Sequence, residues 1–314
     1  MLENKIYQQI ALITCSDYPD GTADDQLMVH VLERLGYVVT FEVWSDEAVD
    51  WSTYRALVIR STWDYHVKLA EFGAWLATVA SLNIQVINSP EVLRWNANKR
   101  YLRDLEQQGS KIVPTVWATR GRAVDLEHVL QSNGWPKAVI KPAIGASAYQ
   151  TWITDASSGK RDQALLRAMM HEGDVLIQPF MREIIREGEY SLVFFDRIFS
   201  HAVVKKPRTG DFRVQEAHGG STRRAEVSKA IIDQCITILN FVKHRLTYAR
   251  VDGVVQNDVF ILMELELIEP DLCLSNAPGA ADRFALAIDA AIGHLGLLQT
   301  VAPNTEQLLL KPLS

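Results

Sequence analysis

The sequence predicts an α/β protein that begins with an open parallel sheet and continues as an α+β region. Strand and helix patterns alternate from Ile10 to Ile87, the pattern changes at Val113, and 314 residues are enough for about two domains. Hydrophobic residues make up 48% of the chain and charged residues 22%, which is typical of a folded globular protein. We therefore expect sizeable buried cores rather than a disordered or fibrous chain.

The N-terminal region alternates short apolar strands with helices. In chain order, the predicted elements are a strand at Ile10–Thr14, a helix at Gln26–Leu35, strands at Tyr37–Val43 and Ala56–Ile59, a helix at Leu69–Leu82 and a strand at Gln85–Ile87. This order is typical of a parallel sheet that carries helices on both faces. No GxGxxG motif follows the first strand, which disfavours a dinucleotide-binding fold with the usual fingerprint.

A polar segment follows the third predicted strand and contains Arg60, Ser61, Thr62, Trp63 and Asp64. In open parallel sheets, ligands bind beyond the carboxyl ends of the strands, so we expect a substrate contact in this segment. The alternative is that Arg60 and Asp64 form only a loop ion pair, while Trp63 packs against its neighbours.

From Val113 onwards, short strands come in pairs that are separated by turns and longer helices. Strands are predicted at Ala138–Lys141 and Asp174–Gln178, and a hairpin at Ser191–Phe195 and Ser200–Val204. The span Ser221–Lys243 predicts one amphipathic helix, because Ile231, Cys235 and Ile238 recur on one face.

Charge, cysteine and hydropathy patterns exclude several classes of protein. Lys and Arg number 32 against 38 Asp and Glu, a net charge of -6, so no overall basic field is present to attract nucleic acid or an anionic membrane. Cys15, Cys235 and Cys273 lack disulfide or metal spacing, which is typical of free thiols in a reducing compartment. The N-terminus lacks a secretory pattern, and the apolar stretch Phe284–Leu298 is shorter than a membrane span, so we expect a cytoplasmic protein.

The most informative stretch carries acidic residues on two adjoining strands. It reads TYARVDGVV at 247–255, QND at 256–258 and VFILMELEL at 259–267. Side chains alternate along a strand, so Arg250 and Asp252 share one face, and Leu262, Glu264 and Glu266 share another. Both sets face the same way if the connection has an odd length. A three-residue loop at 256–258 would place Asp252 opposite Leu262 and diagonal to Glu264.

Three carboxylates on one face of a hairpin would repel one another and lose hydration unless a cation compensates. The stretch offers only oxygen ligands, which favours a hard divalent ion such as Mg²⁺ at Asp252, Glu264 and Glu266. In proteins Mg²⁺ usually bridges one or two carboxylates to the phosphates of a nucleotide. The alternative is a solvent-exposed acidic face that is paired by Arg250.

Three separate segments carry cations that could hold phosphate groups. Lys141 ends a strand and precedes AIGASA at 143–148, whose small residues would allow backbone N–H groups to approach an anion. Lys99 lies in RWNANKR at 94–100, and a lone lysine of this kind could also be simply solvated. The segment 205–221 is either an ordinary surface loop or a basic anion site before a helix N-terminus, and it contains Lys205, Lys206, Arg208, Arg213 and His218.

Taken in order, these segments resemble the ATP-grasp superfamily. The shared pattern comprises Lys99, VIKP at 139–142, QPFM at 178–181, GEYS at 188–191, GDFRVQ at 210–215, HGG at 218–220, ARVDG at 249–253 and MELE at 263–266. It spans about residues 88–280 and is most like the branch that contains glutathione synthetase and the ribosomal-protein glutamate ligase. Three further segments are similar to ATP-grasp ligases that form cycloserine from O-ureidoserine: RSTWDY at 60–65, INSP at 87–90 and MELELIEP at 263–270.

The resemblance implies a pre-ATP-grasp α/β domain at 1–112, followed by an ATP-grasp fold of two α+β subdomains at 113–181 and 182–314. It also implies that ATP and Mg²⁺ are cofactors. By position, the implied contacts are Lys99, Lys141, Gly145 and Ser147 for the phosphates, Gln178, Pro179, Phe180 and Met181 for adenine, Glu189 for ribose, Arg213 and Arg250 for the transferred charge, and Asp252, Glu264 and Glu266 for Mg²⁺.

The activity that the resemblance implies is a carboxylate–amine ligase with a small amino-acid-like substrate. ATP would phosphorylate the carboxylate, and an amine would then displace phosphate from the acyl phosphate, within one molecule if a ring is formed. The candidate base is Lys205, His218 or a carboxylate, and the candidate substrate contacts are Arg60, Thr62, Trp63, Asp64 and Glu269. A kinase with a hydroxyl acceptor and a nucleotide-binding protein without turnover are the alternatives. Such ligases are often homo-oligomers, although no pattern here specifies an interface.

Overall fold

Three β-sheets with helices packed against them form the described part of the chain. The structure is a computed structural model, and it describes residues 9–82, 84–215 and 218–300. The strands are β1 (Gln9–Thr14), β2 (Val38–Val43), β3 (Ala56–Ile59), β4 (Gln85–Ile87), β5 (Val116–Ala118), β6 (Lys137–Pro142), β7 (Trp152–Asp155), β8 (Val175–Pro179), β9 (Glu189–Phe195), β10 (Ile198–Lys206), β11 (Ser221–Ala225), β12 (Tyr248–Gln256) and β13 (Val259–Glu266). The helices are α1 (Ala23–Arg34), α2 (Leu69–Ser81), α3 (Pro90–Asn96), α4 (Tyr101–Gln107), α5 (Leu126–Ser132), α6 (Gly159–Glu172), α7 (Glu183–Arg186), α8 (Lys229–Asn240) and α9 (Ala280–Thr300).

The first sheet is parallel, with the strand order β2-β1-β3-β4. Side chains that alternate along β1 enter two cores. Ile10 and Leu12 pack with α1 and α9, while Ala11 and Ile13 pack with α2. Helices therefore cover both faces of this sheet, as the sequence predicts. Because α9 comes from the C-terminal part of the chain, a distant segment completes the N-terminal layer.

The second and third sheets are antiparallel, with the orders β5-β8-β6-β7 and β11-β10-β9-β12-β13. Helices α5 and α6 pack on the second sheet, and α3, α4 and α8 pack on the third. Ile112, at the predicted end of the first domain, forms a bridge to Leu262 of β13. A parallel α/β unit followed by two antiparallel α+β units is the predicted fold class. The division into domains stays a prediction.

The predicted helix at Ser221–Lys243 is wrong at its start. Residues Ser221–Ala225 form β11, which pairs with β10, and the helix α8 covers only Lys229–Asn240. Ser228 caps this helix, because its hydroxyl oxygen accepts a hydrogen bond from the Ile231 N–H. The basic loop at 205–221 therefore leads into an edge strand, and no helix N-terminus follows it to form the predicted anion site.

The predicted three-residue loop of the acidic hairpin is also wrong. A two-residue turn at Asn257 and Asp258, with φ of 49° and 62°, joins β12 to β13. Positive φ at both positions is the conformation of a hairpin turn that suits the twist of the strands, and asparagine and aspartate tolerate it well. An even turn alone would have placed the acidic residues of the two strands on opposite faces.

A bulge in the pairing of the two strands returns their acidic side chains to one face of the hairpin. The register shifts between Asp252 and Gly253, so that Asp252 pairs with Glu264 instead of the predicted Leu262. Gly253 permits the close approach, because a Cβ at this position would lie 2.3 Å from the Ile261 carbonyl oxygen. The predicted outcome, acidic side chains of both strands on one face, is thus reached by a different backbone route.

A buried ion pair joins the first sheet to the C-terminal part of the chain. Arg60 Nε donates to Asp25 Oδ1 at 2.7 Å, and both side chains are almost fully buried. The Arg60 guanidinium also donates to the Pro270 carbonyl at 3.2 Å and lies 5.4–5.9 Å from the ring centres of Phe284 and Tyr248. Arg60 therefore has a structural role in anchoring the segment that follows β13.

The cysteines and the hydropathy of the helices are two further features of this architecture. Cys15, Cys235 and Cys273 are free and buried. Among the residues that the structure describes, no helix combines the length and the apolar character needed to cross a bilayer.

Replacing Asp25 by asparagine should destabilise the protein strongly, because it leaves the Arg60 guanidinium buried without a counter-charge. We expect Asp25→Asn to lower the free energy of unfolding in urea by about 3–5 kcal/mol. The matched control is Asp282→Asn, which removes the exposed pair with Arg34 and should cost less than about 1 kcal/mol. Equal losses for the two variants would contradict the anchoring role of the buried pair.

Candidate active site

A cavity of about 550 Å³ lies where the second and third sheets meet loops of the N-terminal region. Most of the predicted site residues line it. They are Trp63, Lys99, Lys141, Gly145, Ser147, Gln178, Pro179, Met181, Glu189, Lys205, Arg213, Arg250, Asp252, Glu264, Glu266 and Glu269. Residues that are far apart in sequence thus face one enclosed space, which is the usual setting of a ligand site.

Arg250 neutralises two of the three predicted metal-binding carboxylates. Its Nε lies 3.0 Å from both carboxylate oxygens of Asp252, and one terminal nitrogen lies 2.6 Å from Glu266. The other terminal nitrogen donates to the Asp271 carbonyl at 2.8 Å. Burial raises the pKa of Asp252, but the charges of Arg250 and Lys205 and the hydrogen bonds from Arg250 together outweigh burial and lower it. Arg250 therefore holds the two strands and the segment after β13 in one geometry.

The third carboxylate, Glu264, pairs with a lysine from another element. Lys99 follows α3, and its Nζ lies 3.0 Å from Glu264 and also donates to the Gly145 carbonyl. Lys141 of β6 lines the same cavity and has no ion pair within 4.0 Å among the described residues. Burial lowers the pKa of Lys141, although Glu264 opposes the change. A partly buried ammonium without a close ion pair favours an anionic ligand at this point.

The acidic residues of the cavity wall carry more negative charge than their nearest cations neutralise. Burial, with the charges of Asp252 and Glu264, raises the pKa of Glu266 to about 7, although Arg250 acts in the opposite direction. Burial and the charge of Asp252 likewise raise the pKa of Glu189 to about 7. Lys205, which lies opposite Glu189 in the register of β9 and β10, acts in the opposite direction. The wall would therefore bind an additional cation favourably.

One end of the cavity is apolar and the other is aromatic. Val113, Met181, Ile184 and Val214 form one core cluster at the apolar end, and Met263 packs against it. The Gln178 side chain does not reach into this space freely, since its Nε2 donates to Thr115 Oγ1 at 2.9 Å.

Loops of the first sheet form the aromatic end. Trp63 Nε1 donates to the Glu269 carbonyl at 3.1 Å, and the Tyr18 ring meets the Trp63 ring edge to face at 4.8 Å. Tyr65 lines the same end. An apolar compartment, a charged compartment and an aromatic compartment are thus parts of one cavity.

The comparisons with known proteins agree with this geometry. Residues 10–88 match the family described as the N-terminal domain of D-cycloserine synthetase DcsG. Over 271 residues the chain is 30% identical to the cycloserine biosynthesis protein DcsG of Streptomyces lavendulae. The aligned region covers 80% of this chain and 88% of that protein. The chain belongs to the DcsG family. It is an ATP-grasp ligase, as its resemblance to that superfamily implies.

Solved structures show the same fold. The crystal structure of D-cycloserine synthetase DcsG superposes with a TM-score of 0.82 at 26% identity, covering 90% of this chain and 99% of that one. D-alanine–D-alanine ligase from Bacillus anthracis, solved with ATP, superposes with a TM-score of 0.65 at 14% identity, covering 93% and 99% of the two chains. The predicted fold class is therefore confirmed.

Some predicted site residues of this DcsG-family chain lie outside the cavity wall. Arg60 is engaged with Asp25, and Asp64 is held by the Trp44 indole at 2.7 Å and by Lys68 at 2.8 Å. The others that do not line the cavity are Thr62, Phe180 and His218. Arg213 lines it, and its guanidinium is paired with Asp211 at 2.8 Å. The structure therefore groups Lys205, rather than His218, with the acidic residues.

Several residues that line the cavity of the DcsG-family chain are not among the predicted site residues. They reach the cavity from helices, strands and loops of different layers, and only Tyr65, Asn96 and Phe212 lie within the sequence motifs quoted above. They include Tyr18, Thr22, Tyr65, Asn96, Tyr101, Tyr149, Phe212 and Thr222. Tyr101, two residues after Lys99, could have been suspected from its proximity to that lysine alone. Its hydroxyl accepts a hydrogen bond from the Leu265 N–H at 3.1 Å, which ties α4 to β13.

The donor set suits Mg²⁺, but the carboxylates are at present paired with protein cations. Asp252, Glu264 and Glu266 offer only oxygen atoms to one cavity, and burial, followed by the charges of Asp252 and Glu264, raises the pKa of Glu266. In the described ranges, no three His, Cys, Asp or Glu side chains converge into a ready-made metal cage.

The raised pKa of Glu189 predicts a pH-dependent stability. Its pKa of about 7 in the folded protein, against an ordinary 4.5, means that the folded state keeps a proton that the unfolded chain releases. Stability should therefore fall as the pH rises from about 4.5 to 7. In Glu189→Gln, urea unfolding with EDTA at about pH 5 and pH 8 should show this loss reduced by on the order of 1–3 kcal/mol.

The control for this experiment is Glu187→Gln, an exposed position two residues earlier. It should retain the pH dependence of the unchanged protein. If Glu189→Gln and Glu187→Gln lose stability equally between the two pH values, Glu189 is not the group that titrates.

Proposed function

We propose that the chain is an ATP- and Mg²⁺-dependent carboxylate–amine ligase that acts through an acyl phosphate on a small amino-acid-like substrate, closing a ring of the cycloserine type. The observation that carries the proposal is the cavity wall on which Lys99, Lys141, Lys205 and Arg250 lie beside three carboxylates. The name of its Streptomyces relative, a cycloserine biosynthesis protein, supports the ring-closing form.

The nucleotide is proposed to bind along the length of the charged and apolar compartments. Adenine would occupy the apolar end beside Met181 and Met263, and Glu189 would accept a hydrogen bond from a ribose hydroxyl. The phosphates would lie at Lys141 and Lys99, because Lys141 is a partly buried cation without an ion pair within 4.0 Å among the described residues. The loop at 143–151 borders the same space and would bring backbone N–H groups to the anion.

The carboxylates Asp252, Glu264 and Glu266 would hold Mg²⁺. When bound, the ion would supply the positive charge that neutralises the nucleotide phosphates. Arg250 and Lys99 at present occupy these carboxylates, so both cations would be available to shift toward the phosphates as the metal arrives. Metal and nucleotide binding should therefore be mutually dependent.

The proposed reaction has two steps. An oxygen of the substrate carboxylate attacks the γ-phosphorus, the bond to the bridging oxygen breaks, and ADP leaves. A nitrogen of the substrate then attacks the acyl carbon, phosphate leaves, and the proton of the nitrogen passes to a base. The chain positions the groups and stabilises developing charge with Arg250, and no side chain forms a covalent bond. Lys205 or a carboxylate of the wall is the candidate base within the cavity.

Trapping with hydroxylamine tests the acyl-phosphate chemistry. The full chain would be incubated with ATP, Mg²⁺ and serine derivatives that carry ureido or aminooxy groups, and ADP release would be measured. We expect ADP release to require the carboxylate, and added hydroxylamine to divert the product to a hydroxamate, which only an activated acyl group forms. A stable phosphoester without hydroxamate would instead indicate a kinase, and ADP release from none of the carboxylates would overturn the ligase proposal for this substrate class.

Removing one proposed metal ligand should reduce turnover strongly. The same chemical change at the hairpin turn should not. Asp252→Asn should lower kcat/KM for ADP release by about 100-fold or more, since charge neutralisation at the phosphates is lost. Asp258→Asn makes the same chemical change in the exposed turn of the same hairpin, where asparagine tolerates the φ of 62°, and should leave turnover unchanged.

Asp252→Asn could also disturb folding, because Asp252 is buried against Arg250. Glu264→Gln, at a partly exposed position, provides a second variant, and circular dichroism would compare the folds. Full activity in a folded Glu264→Gln or Asp252→Asn protein would contradict the metal assignment.

A further inference from the structure

The strand that carries Glu264 and Glu266 is held at its outer edge by a single side chain. Strand β13 lies at the edge of the third sheet, so one of its sides has no full partner strand among the described residues. On that side, the Asn96 carboxamide donates to the Leu265 carbonyl and accepts from the Leu267 N–H, both at 2.8 Å. These two bonds lie on either side of Glu266 and copy the pairing that a neighbouring strand would supply.

Asn96 is the last residue of α3, and it is 7% exposed and lines the cavity. Both the oxygen and the nitrogen of its carboxamide are bonded to the backbone of one strand. A buried polar side chain with both of its polar atoms satisfied is well ordered. Asn96 therefore fixes the position of this end of β13 relative to α3.

The corner between α3 and α4 reaches the other charged parts of the cavity as well. The Tyr101 hydroxyl accepts from the Leu265 N–H at 3.1 Å, and Lys99 Nζ lies 3.0 Å from Glu264. The Lys99 N–H donates to the Ala143 carbonyl at 2.8 Å. One short segment thus connects the acidic strand with the loop that follows β6.

The hydrogen bonds of Asn96 differ from the ion pairs of the cavity wall. Arg250 and Lys99 pair with the carboxylates themselves, so a metal ion at those carboxylates competes with both. Asn96 is neutral and contacts only backbone groups, so it remains in place when the cations shift. Asp252 lies directly opposite Glu264, and their repulsion would displace the edge strand if nothing else held it.

We propose that Asn96 is a positioning residue for the metal site, which holds the backbone on both sides of Glu266 so that Glu264 and Glu266 stay directed at one ion. The inference rests on the proposed function, since it takes the Mg²⁺ site at these carboxylates as given. Groups that orient metal ligands without touching the ion contribute about 10- to 100-fold to metal affinity. Loss of Asn96 should therefore weaken the binding of the ion.

A second carboxamide on the same strand provides the matched control. Gln234 of α8 donates to the Asp258 carbonyl at 3.0 Å and accepts from the Phe260 N–H at 2.9 Å. This is the same two-bond pattern, a carbonyl and the N–H two residues further on, at the turn end of β13. Gln234 does not line the cavity.

Binding of Mn²⁺ in the presence of ADP tests the proposal without turnover. Mn²⁺ accepts the same oxygen ligands as Mg²⁺, and the electron paramagnetic resonance signal of the free ion gives its Kd for the full chain. We expect Asn96→Ala to raise this Kd by about tenfold or more. The Kd for ADP in EDTA should change by less than about threefold, because the charged contacts to the nucleotide remain. Gln234→Ala removes the same pair of hydrogen bonds and should leave the Kd for Mn²⁺ unchanged.

Asn96→Ser keeps a hydroxyl at this position and is the second variant, should circular dichroism show that Asn96→Ala does not fold. It should raise the Kd for Mn²⁺ in the same direction. An unchanged Kd in a folded Asn96 variant, or an equal rise in Gln234→Ala, would overturn the positioning role and leave the ligase proposal intact. If the unchanged protein binds no Mn²⁺ beyond the amount that ADP alone binds, the metal assignment of the proposed function fails, and the positioning role fails with it.

Discussion

The geometry of the cavity depends on the guanidinium of Arg250. It contacts Asp252 from the same strand, Glu266 from the paired strand and the carbonyl of Asp271 from the segment beyond. Carboxylates of adjacent strands lie close enough to repel one another strongly when they are buried. One cation that bridges both acids therefore permits an acidic wall to exist without a ligand. The same cation is available to a ligand once another positive charge replaces it at the carboxylates.

The strands of this wall could be predicted from alternation, but their pairing could not. Alternation places Arg250 with Asp252 and Glu264 with Glu266, and the structure keeps both sets on one face. For both sets to share a face, the hairpin must contain either a turn with an odd number of residues or a bulge, and the sequence does not show which. Asn257 and Asp258 favour the two-residue turn, and Gly253 marks the bulge only in hindsight, because its close neighbour Ile261 is defined by the pairing itself.

Long-range contacts decide which of the predicted site residues line the cavity. Arg60 follows a parallel strand, the position at which ligands commonly bind, but Asp25 meets it from α1 and gives it a structural role. Asp25 belongs at the same time to the capping box that starts α1 at Thr22. The sequence shows the pattern of such a cap, but it does not show that Asp25 also contacts Arg60. Lys99 and Lys141 were expected from family resemblance, since no local pattern brings them to one cavity.

Charges without partners give the most specific information about what the cavity accepts. Five buried or partly buried acids, Asp252, Glu264, Glu266, Glu189 and Glu269, share it with five cations, Lys99, Lys141, Lys205, Arg213 and Arg250. Among the described residues, four of these groups have no ion pair within 4.0 Å: Lys141, Lys205, Glu189 and Glu269. Burial penalises each of them, so each is stabilised most by a ligand group of opposite charge. A phosphate group at Lys141 would supply the negative charge that this lysine lacks among the protein side chains. The electrostatics of the cavity thus favour an anionic ligand at the end of β6.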